Sequence, residues 1–287
     1  VNVLIRVDNL AYAYPAASRP VLEGLDFHIQ KGEIFGFLGP SGAGKSTTQQ
    51  ILIGKLKTYR GSARVLGEEV RFAKAAFYER IGVAYEFPHF YNRFTALENL
   101  QHFRSLYRNQ QTEPMALLQQ VGLEDAAHKK VEAFSKGMKM RLNYCRSVLN
   151  SPELLFLDEP TSGLDPVHAD NLKRLIEARR QAGATIVITT HNMRAAEQLC
   201  DRVAFMMEGQ IRLMDSPRNL KLLSGERKVR VEYELGDERK TEDFALEGIG
   251  SNARYLSLIR SHRIITMHTL EASLEDIFIA SAGSTRA

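Results

Sequence analysis

Residues 34–47 read "IFGFLGPSGAGKST", and no other stretch restricts the possible folds of this chain as much. Ile34–Leu38 is a short apolar run of the kind found in strands covered on both faces in a parallel sheet, and it breaks at once into glycine. Gly39 to Thr47 then fit the pattern G-x-x-x-x-G-K-[ST], which has meaning only where a strand turns directly into a helix. Glycines at 42 and 44 let backbone N–H groups close around phosphate oxygens, and a helix starting near Lys45 adds the positive end of its dipole. In such a loop Lys45 contacts the β- and γ-phosphates of a nucleotide and the Ser46 hydroxyl ligates Mg2+.

Two further short runs share this form. Leu154–Leu157 leads into "DEPTSGLD" and Thr185–Thr190 into "HNM". Ligands of open parallel sheets lie outside the carboxyl ends of the strands, so three loaded ends point to one shared site. Asp158 at such an end holds Mg2+ through its water shell, and Glu159, oriented differently, polarises the attacking water as a general base. The plainer reading is an acidic strand end that begins a turn at Pro160. His191 is placed to hydrogen-bond the γ-phosphate or the water, although a lone histidine at a strand end is ordinarily structural. No N-K-x-D segment for reading guanine is present.

Around these runs the chain has α/β order. Val3, Ile5 and Val7, then Leu25, Phe27 and Ile29, alternate as half-buried strands do. Residues 88–150 lack that alternation and read as a helical subdomain inserted into the connections of the sheet. Past Pro217 the style shifts: "KVRVEYEL" sets Val229, Val231, Tyr233 and Leu235 opposite Arg230, Glu232 and Glu234, "RIITMHTL" is another strand, and Leu274, Ile277 and Phe278 mark one face of a closing helix. The expected division is therefore 1–87 with 151–222 as the core, 88–150 as the helical subdomain, and 223–287 as a small α+β extension. A net charge of +4 gives no argument for a nucleic-acid partner. Cys145 and Cys200 lie in apolar surroundings that suit buried free thiols in a reducing compartment. No run of about 18 apolar residues and no signal-peptide pattern is seen, so the chain is expected neither to span nor to cross a membrane by itself.

The stretch "AFSKGMKM", residues 133–140, stands shortly before "LLFLDEP". Taken alone it reads as a loop leading into a helix, with Ser135 as the cap. Taken in order with the phosphate loop, "SGLD" and "TTH", it resembles the ATPase subunit of an ATP-binding-cassette (ABC) transporter over roughly residues 3–220. The resemblance implies a P-loop NTPase (RecA-like) core with an N-terminal antiparallel β subdomain. It implies ATP and Mg2+ as cofactors, with Gly39, Pro40, Ser41, Gly42, Ala43, Gly44, Lys45, Ser46 and Thr47 around the phosphates. Ser46, Glu86 and Asp158 are the implied metal ligands. Glu159, His191 and Glu86 are the implied catalytic groups. Ser135 and Gly137 belong to the family's signature motif, which binds the γ-phosphate of ATP held by a second subunit. Asp165 closes the D-loop that couples the two sites, and it also reads as an ordinary helix cap before Pro166. Tyr14 takes the place of the adenine-stacking aromatic, with Tyr12 or a core-packing role as the alternatives.

The implied partners are a second ATP-binding subunit, identical or paired, and an integral membrane permease contacted near Glu86–Thr95, which would hold the chain at the cytoplasmic face of the membrane. Phe87, Phe90, Tyr91 and Phe94 suit either an apolar groove for that permease or the core of the helical subdomain. Two positions depart from the family pattern. Glu86 replaces a glutamine, so it cannot donate a hydrogen bond and adds negative charge near the phosphates. Lys136-Gly137-Met138 replaces Gly-Gly-Gln, adding a cation at a phosphate-binding helix terminus. The tail "HTLEASLEDIFIASAG" resembles the closing segment of subunits that power drug and antibiotic exporters. The alternatives are an ABC-type ATPase of DNA repair or translation and a regulatory cassette with weak hydrolysis. The sequence shows none of the long coiled-coil insertions, zinc motifs or second cassettes usual in the repair and translation class.

Overall fold

The computed structural model describes residues 2–15, 17, 19–108, 112–224, 227–236, 238–270 and 272–283. They form two units, Val1–Asp215 and Ser216–Ala287. In the first unit, strands β1 (Val3–Tyr12) and β2 (Leu22–Gln30) pair antiparallel, with Val7 opposite Phe27. Ile5, Val7, Leu10 and Tyr12 of β1 and Leu22, Leu25, Phe27 and Ile29 of β2 turn inward, and the alternation slips by one residue after Val7 and after Leu22, where Asn9 and Gly24 take positive φ. Strand β3 (Ile34–Leu38) is buried at all five positions and leads through the glycine loop into helix α1 (Lys45–Leu52). Strands β4 (Arg60–Val65) and β5 (Glu68–Glu69) complete a four-stranded sheet of order β2-β1-β4-β5.

The chain then passes through the short helix α2 (Ala75–Tyr78) into β6 (Ile81–Ala84) and enters a helical stretch. Helix α3 (Ala96–Ser105) opens on a capping box in which Thr95 and Glu98 each bond the other's backbone N–H. Helix α4 (Pro114–Gln120) has proline in its first turn, and α5 (Lys136–Ser147) starts at Ser135, whose hydroxyl accepts from Met138 N. Strand β7 (Leu154–Asp158), helix α6 (Pro166–Gln181), strand β8 (Thr185–Thr190), helix α7 (Met193–Leu199) and strands β9 (Arg202–Met207) and β10 (Gln210–Asp215) follow. They build a six-stranded sheet of order β10-β9-β3-β8-β7-β6, parallel except for β10. Because β3, β6, β7 and β8 run the same way, their carboxyl ends share one edge, and the phosphate loop, Asp158 and His191 all leave from it.

The second unit starts with α8 (Pro217–Ser224). It continues with β11 (Lys228–Leu235), β12 (Glu238–Ala245), α9 (Ala253–Ser261), β13 (Ile264–Leu270) and α10 (Leu274–Gly283). Its sheet has the order β12-β11-β13, and Val229, Val231, Tyr233, Phe244 and Leu258 form its core. Leu235 corrects the sequence reading, since it ends β11 beside the turn and is exposed rather than joining the buried side. The unit boundary also falls earlier than residue 222, after Asp215, because α8 packs against α10. Glu271 and residues 284–287 lie outside the described residues.

Candidate functional site

The loop from Gly39 to Gly44 has a shape that side chains would obstruct. Gly39 has φ 150° and Gly44 φ 103°. A Cβ on Gly39 would lie 2.2 Å from the Met206 carbonyl oxygen, and one on Gly44 would lie 2.6 Å from Leu22 Cδ2. Pro40, Ser41, Gly42 and Ser46 face solvent, while Ala43, Lys45 and Thr47 are buried. Lys45 Nζ donates to Gly39 O at 2.7 Å and to Pro40 O at 2.9 Å, curling over its own loop. Burial lowers the Lys45 pKa, and Glu159, Asp158 and Glu86 together oppose that shift, so one ammonium faces three carboxylates. Beside the helix start, Tyr14 is partly exposed with its hydroxyl 3.3 Å from Thr47 Oγ1, whereas Tyr12 is buried and packs edge-on to Tyr14.

Asp158 ends β7 directly opposite Thr189 of β8. The Thr189 hydroxyl donates to Asp158 Oδ1 and stands 3.1 Å from Gln49 Oε1 of α1. Burial raises the Asp158 pKa, the Thr189 bond and the backbone N–H of Glu86 work against that rise, and the neighbouring Glu159 charge adds to it. Glu159 has the left-handed backbone angle φ 47°, which swings its side chain away from that of Asp158 toward the end of β8. There Oε2 accepts from the Thr190 hydroxyl at 2.9 Å and Oε1 accepts from His191 N at 2.8 Å. His191 Nδ1 lies 2.6 Å from the same oxygen, so in the neutral ring Nδ1 carries the proton and Nε2 is the acceptor. The carboxylate is 10 % exposed and the imidazole 69 %, an arrangement in which the ring is the open face of a buried carboxylate.

Glu86 follows β6 at the same edge, where its charge and its backbone N–H reach Lys45 and Asp158. Those residues, the phosphate loop, Glu159 and His191 therefore converge. Ser135, Gly137 and Asp165 gather in a second group. Gly137 lies close under the Gly163 carbonyl, and Lys136 Nζ donates to Ser162 Oγ at 3.2 Å. Asp165 Oδ1 caps α6 by accepting from Val167 N and His168 N, each at 3.1 Å. His168 Nδ1 against Oδ2 holds the Asp165 carboxyl below its usual range. Thr189 and Thr190, which hold the carboxylates in place, and Gln49, which lies beside the Thr189 hydroxyl, carry no role in the sequence reading. The "TTH" run contains two of them, but which carboxylate each hydroxyl meets depends on strand pairing. Phe87, Tyr91 and Phe94 are 68 %, 50 % and 42 % exposed, whereas Phe90 is half-buried against Phe103 and Arg146, so the four aromatics divide between surface and subdomain packing.

A divalent cation fits this donor set. Ser46, Asp158 and Glu86 offer only oxygen, and among the described residues no cluster of three histidine, cysteine or acidic side chains forms a closed cage. One or two carboxylates and a hydroxyl, with phosphate and water left to complete the shell, is how Mg2+ is held in nucleotide sites.

Comparison with known proteins agrees with this geometry. A family model described as ABC transporter matches residues 22–162, and one described as fluoroquinolone efflux ABC transporter C-terminal domain matches residues 227–271. The chain is 48 % identical over 281 residues to a fluoroquinolones export ATP-binding protein of Mycobacterium tuberculosis, covering 98 % of this chain and 93 % of that one. It is 36 % identical over 248 residues to the bacitracin transport ATP-binding protein BcrA of Bacillus licheniformis, covering 84 % and 78 %. Among solved structures, an ATP binding subunit of an ABC transporter superposes with TM-score 0.69 at 28 % identity, covering 76 % of this chain and 92 % of that one.

Proposed function

The chain belongs to the ABC transporter family as an ATP-hydrolysing, ATP-binding subunit of the drug and antibiotic export kind, and on that premise we propose how its residues divide the work. Lys45 and the loop N–H groups hold the β- and γ-phosphates, and Tyr14 stacks on the adenine. Ser46, Asp158 and Glu86 hold Mg2+, which when bound neutralises charge on the phosphate oxygens. Glu159 accepts the proton of the attacking water, and His191 fixes that carboxylate through Nδ1 while presenting Nε2 as an acceptor to the same water. Ser135, Gly137 and Asp165 serve the nucleotide held by the second copy of the chain, so that ATP closes the pair and hydrolysis reopens it. Only a ligand that prefers the closed form can drive such a cycle.

The observation that carries this reading is the three-donor grip on Glu159 from Thr190 and His191 at the edge shared with Lys45. The proposed partner is a separate permease seated on the exposed Phe87, Tyr91 and Phe94, which makes the chain peripheral to the membrane. Among the described residues no helix is long and apolar enough to cross one. The 48 % identity to a fluoroquinolones export protein, together with the match at 227–271, supports amphipathic aromatic drugs of that class as cargo.

The test compares ATP turnover and ATP-dependent dimerisation of the chain with those of Glu159→Gln. Slow turnover by the wild type and a stable ATP-bound dimer of the variant are expected. Wild-type turnover matched by the variant would remove the general base, and absence of both properties even with the permease present would remove the motor reading. Glu86 gives a specific reason to weigh a regulatory cassette that hardly cleaves ATP, which requires a stable ATP-bound dimer of the wild type itself, as long-lived as that of Glu159→Gln.

A further inference from the structure

Asn143 of α5 is completely buried, and a buried amide is costly unless both of its ends are paired. Both are. Nδ2 donates to the Tyr85 carbonyl at 2.7 Å, and Oδ1 accepts from Arg146 Nη2 at 2.7 Å. Arg146, one helical turn further on, sends Nη1 to the His89 carbonyl at 2.9 Å. Its guanidinium carbon lies 5.0 Å from the centre of the Phe90 ring and 5.2 Å from that of Phe103. The partners of this cation are a carbonyl, an amide oxygen and two rings, all neutral, and burial lowers its pKa accordingly. A helix that spends a desolvated guanidinium and a buried amide on two backbone carbonyls is holding a loop in one place.

On the reading that Glu86 serves the nucleotide, we propose that Asn143 and Arg146 are positioning residues: they clamp the loop from Tyr85 to His89 onto the signature helix and so fix Glu86 against Asp158. The two gripped carbonyls bracket Glu86. The Tyr85 carbonyl and the Glu86 N–H belong to one planar peptide unit, so its oxygen and hydrogen point to opposite sides. Asn143 holds the oxygen side, and so sets the orientation of the peptide from which Glu86 projects. This rigid plate ties Glu86 to α5, whose cap is Ser135 and whose first turn carries Gly137. Exposed Phe87 lies inside the clamped segment and Tyr91 just beyond it. A partner that pushes on them therefore moves Glu86 and the signature helix together.

The experiment uses the full chain with Asn143→Asp, which keeps an oxygen for Arg146 but removes the donor to Tyr85. Asn143→Ala serves as a control for the added charge. Hydrogen–deuterium exchange of segment 85–91 is read without nucleotide, and ATP hydrolysis is read alongside as a function of Mg2+ concentration. Loss of the one bond should speed exchange of that segment by about tenfold while the sheet strands stay protected. It should raise the Mg2+ needed for half-maximal hydrolysis several-fold and change kcat at saturating Mg2+ by less than about twofold, since Glu86 is misplaced as a ligand while its charge stays and the phosphate loop is intact. Unchanged exchange at 85–91 in both variants would overturn the clamp, as would acceleration spread evenly over the chain. Local acceleration with an unchanged Mg2+ requirement would overturn the role in positioning Glu86. If the wild type hydrolyses no ATP, the functional reading of the site fails, and the exchange measurement still decides whether the clamp exists.

Discussion

His191 meets one oxygen of Glu159 twice, through Nδ1 at 2.6 Å and through its backbone N–H at 2.8 Å. Thr190 holds the other oxygen at 2.9 Å. The Glu159 backbone sits at φ 47°, a conformation that costs a non-glycine residue about 1 kcal/mol or more. The strain and the three donors act toward one end: they turn this carboxylate toward the end of β8, away from Asp158, so that adjacent acids have separate tasks. In the proposed role of general base, Glu159 is thus held in one orientation before water arrives.

His191→Ala removes the ring bond but leaves both remaining donors to Glu159. The carboxylate should stay near its position with a looser orientation, and kcat for ATP hydrolysis should fall by about a hundredfold, within the usual contribution of a positioned acid–base group. ATP affinity should change little, because the phosphate loop does not touch the ring. Single-turnover hydrolysis beside equilibrium ATP binding separates these effects.

Asp158→Asn should make the chain more stable and inactive. Burial raises the pKa of Asp158 in the folded state, so its ionised form opposes folding at neutral pH. A group of this kind contributes most to stability when protonated, and that contribution is lost as pH rises through its folded pKa. Asparagine lacks the charge and still offers an oxygen to the Thr189 hydroxyl. Thermal unfolding at neutral pH should give a midpoint a few degrees above wild type, and the gap should narrow as pH falls into the carboxylate range. Hydrolysis should be lost across the whole pH range.

The parts of this site that were legible in the sequence are those whose chemistry lies within one short segment. The strand-glycine-lysine run, the acidic pair after Leu157 and the serine before Lys136 each carry their own local reason. Thr190 and Gln49 were hidden because a hydroxyl becomes a support, and an amide its neighbour, only after β7, β8 and α1 come together. Asn143 was hidden for the same reason, since its partner Tyr85 lies 58 residues away. Leu235 misled because alternation assigns sides along a strand but not where cover ends, and the strand stops there. Aromatic content alone could not separate surface from core at Phe87, Tyr91 and Phe94, because packing depth is a tertiary property.

Tyr12 and Tyr14 alternate on β1 and the residues after it, and the fold gives them opposite surroundings. Tyr14→Ala should weaken ATP binding by about tenfold, as loss of a base-stacking ring does, and leave stability nearly unchanged. Tyr14→Phe should bind as the wild type does. Tyr12→Ala should cost about 3 kcal/mol of stability, the usual penalty for emptying a buried aromatic site. Denaturant unfolding and titration with a fluorescent ATP analogue on the three variants distinguish a stacking ring from a packing ring.

Glu86→Gln tests the departure that most affects the rate. Lys45 faces Glu159, Asp158 and Glu86 at once, so the resting site already holds more negative charge than one ammonium balances. A polyphosphate entering this site meets repulsion from each carboxylate, and in a partly buried setting one unit charge at close range is worth several kcal/mol before screening by solvent and cation. Glutamine removes one of those charges and restores an amide donor. It also removes a hard oxygen anion from the proposed Mg2+ ligands, which acts in the opposite direction. The two effects separate in a Mg2+ titration: the variant should need several-fold more Mg2+ for half-maximal hydrolysis, yet turn over several-fold faster at saturation. An equal Mg2+ requirement in the two proteins would mean that the Glu86 side chain does not ligate the cation. A slower rate at saturation would mean that its charge assists hydrolysis and does not restrain it.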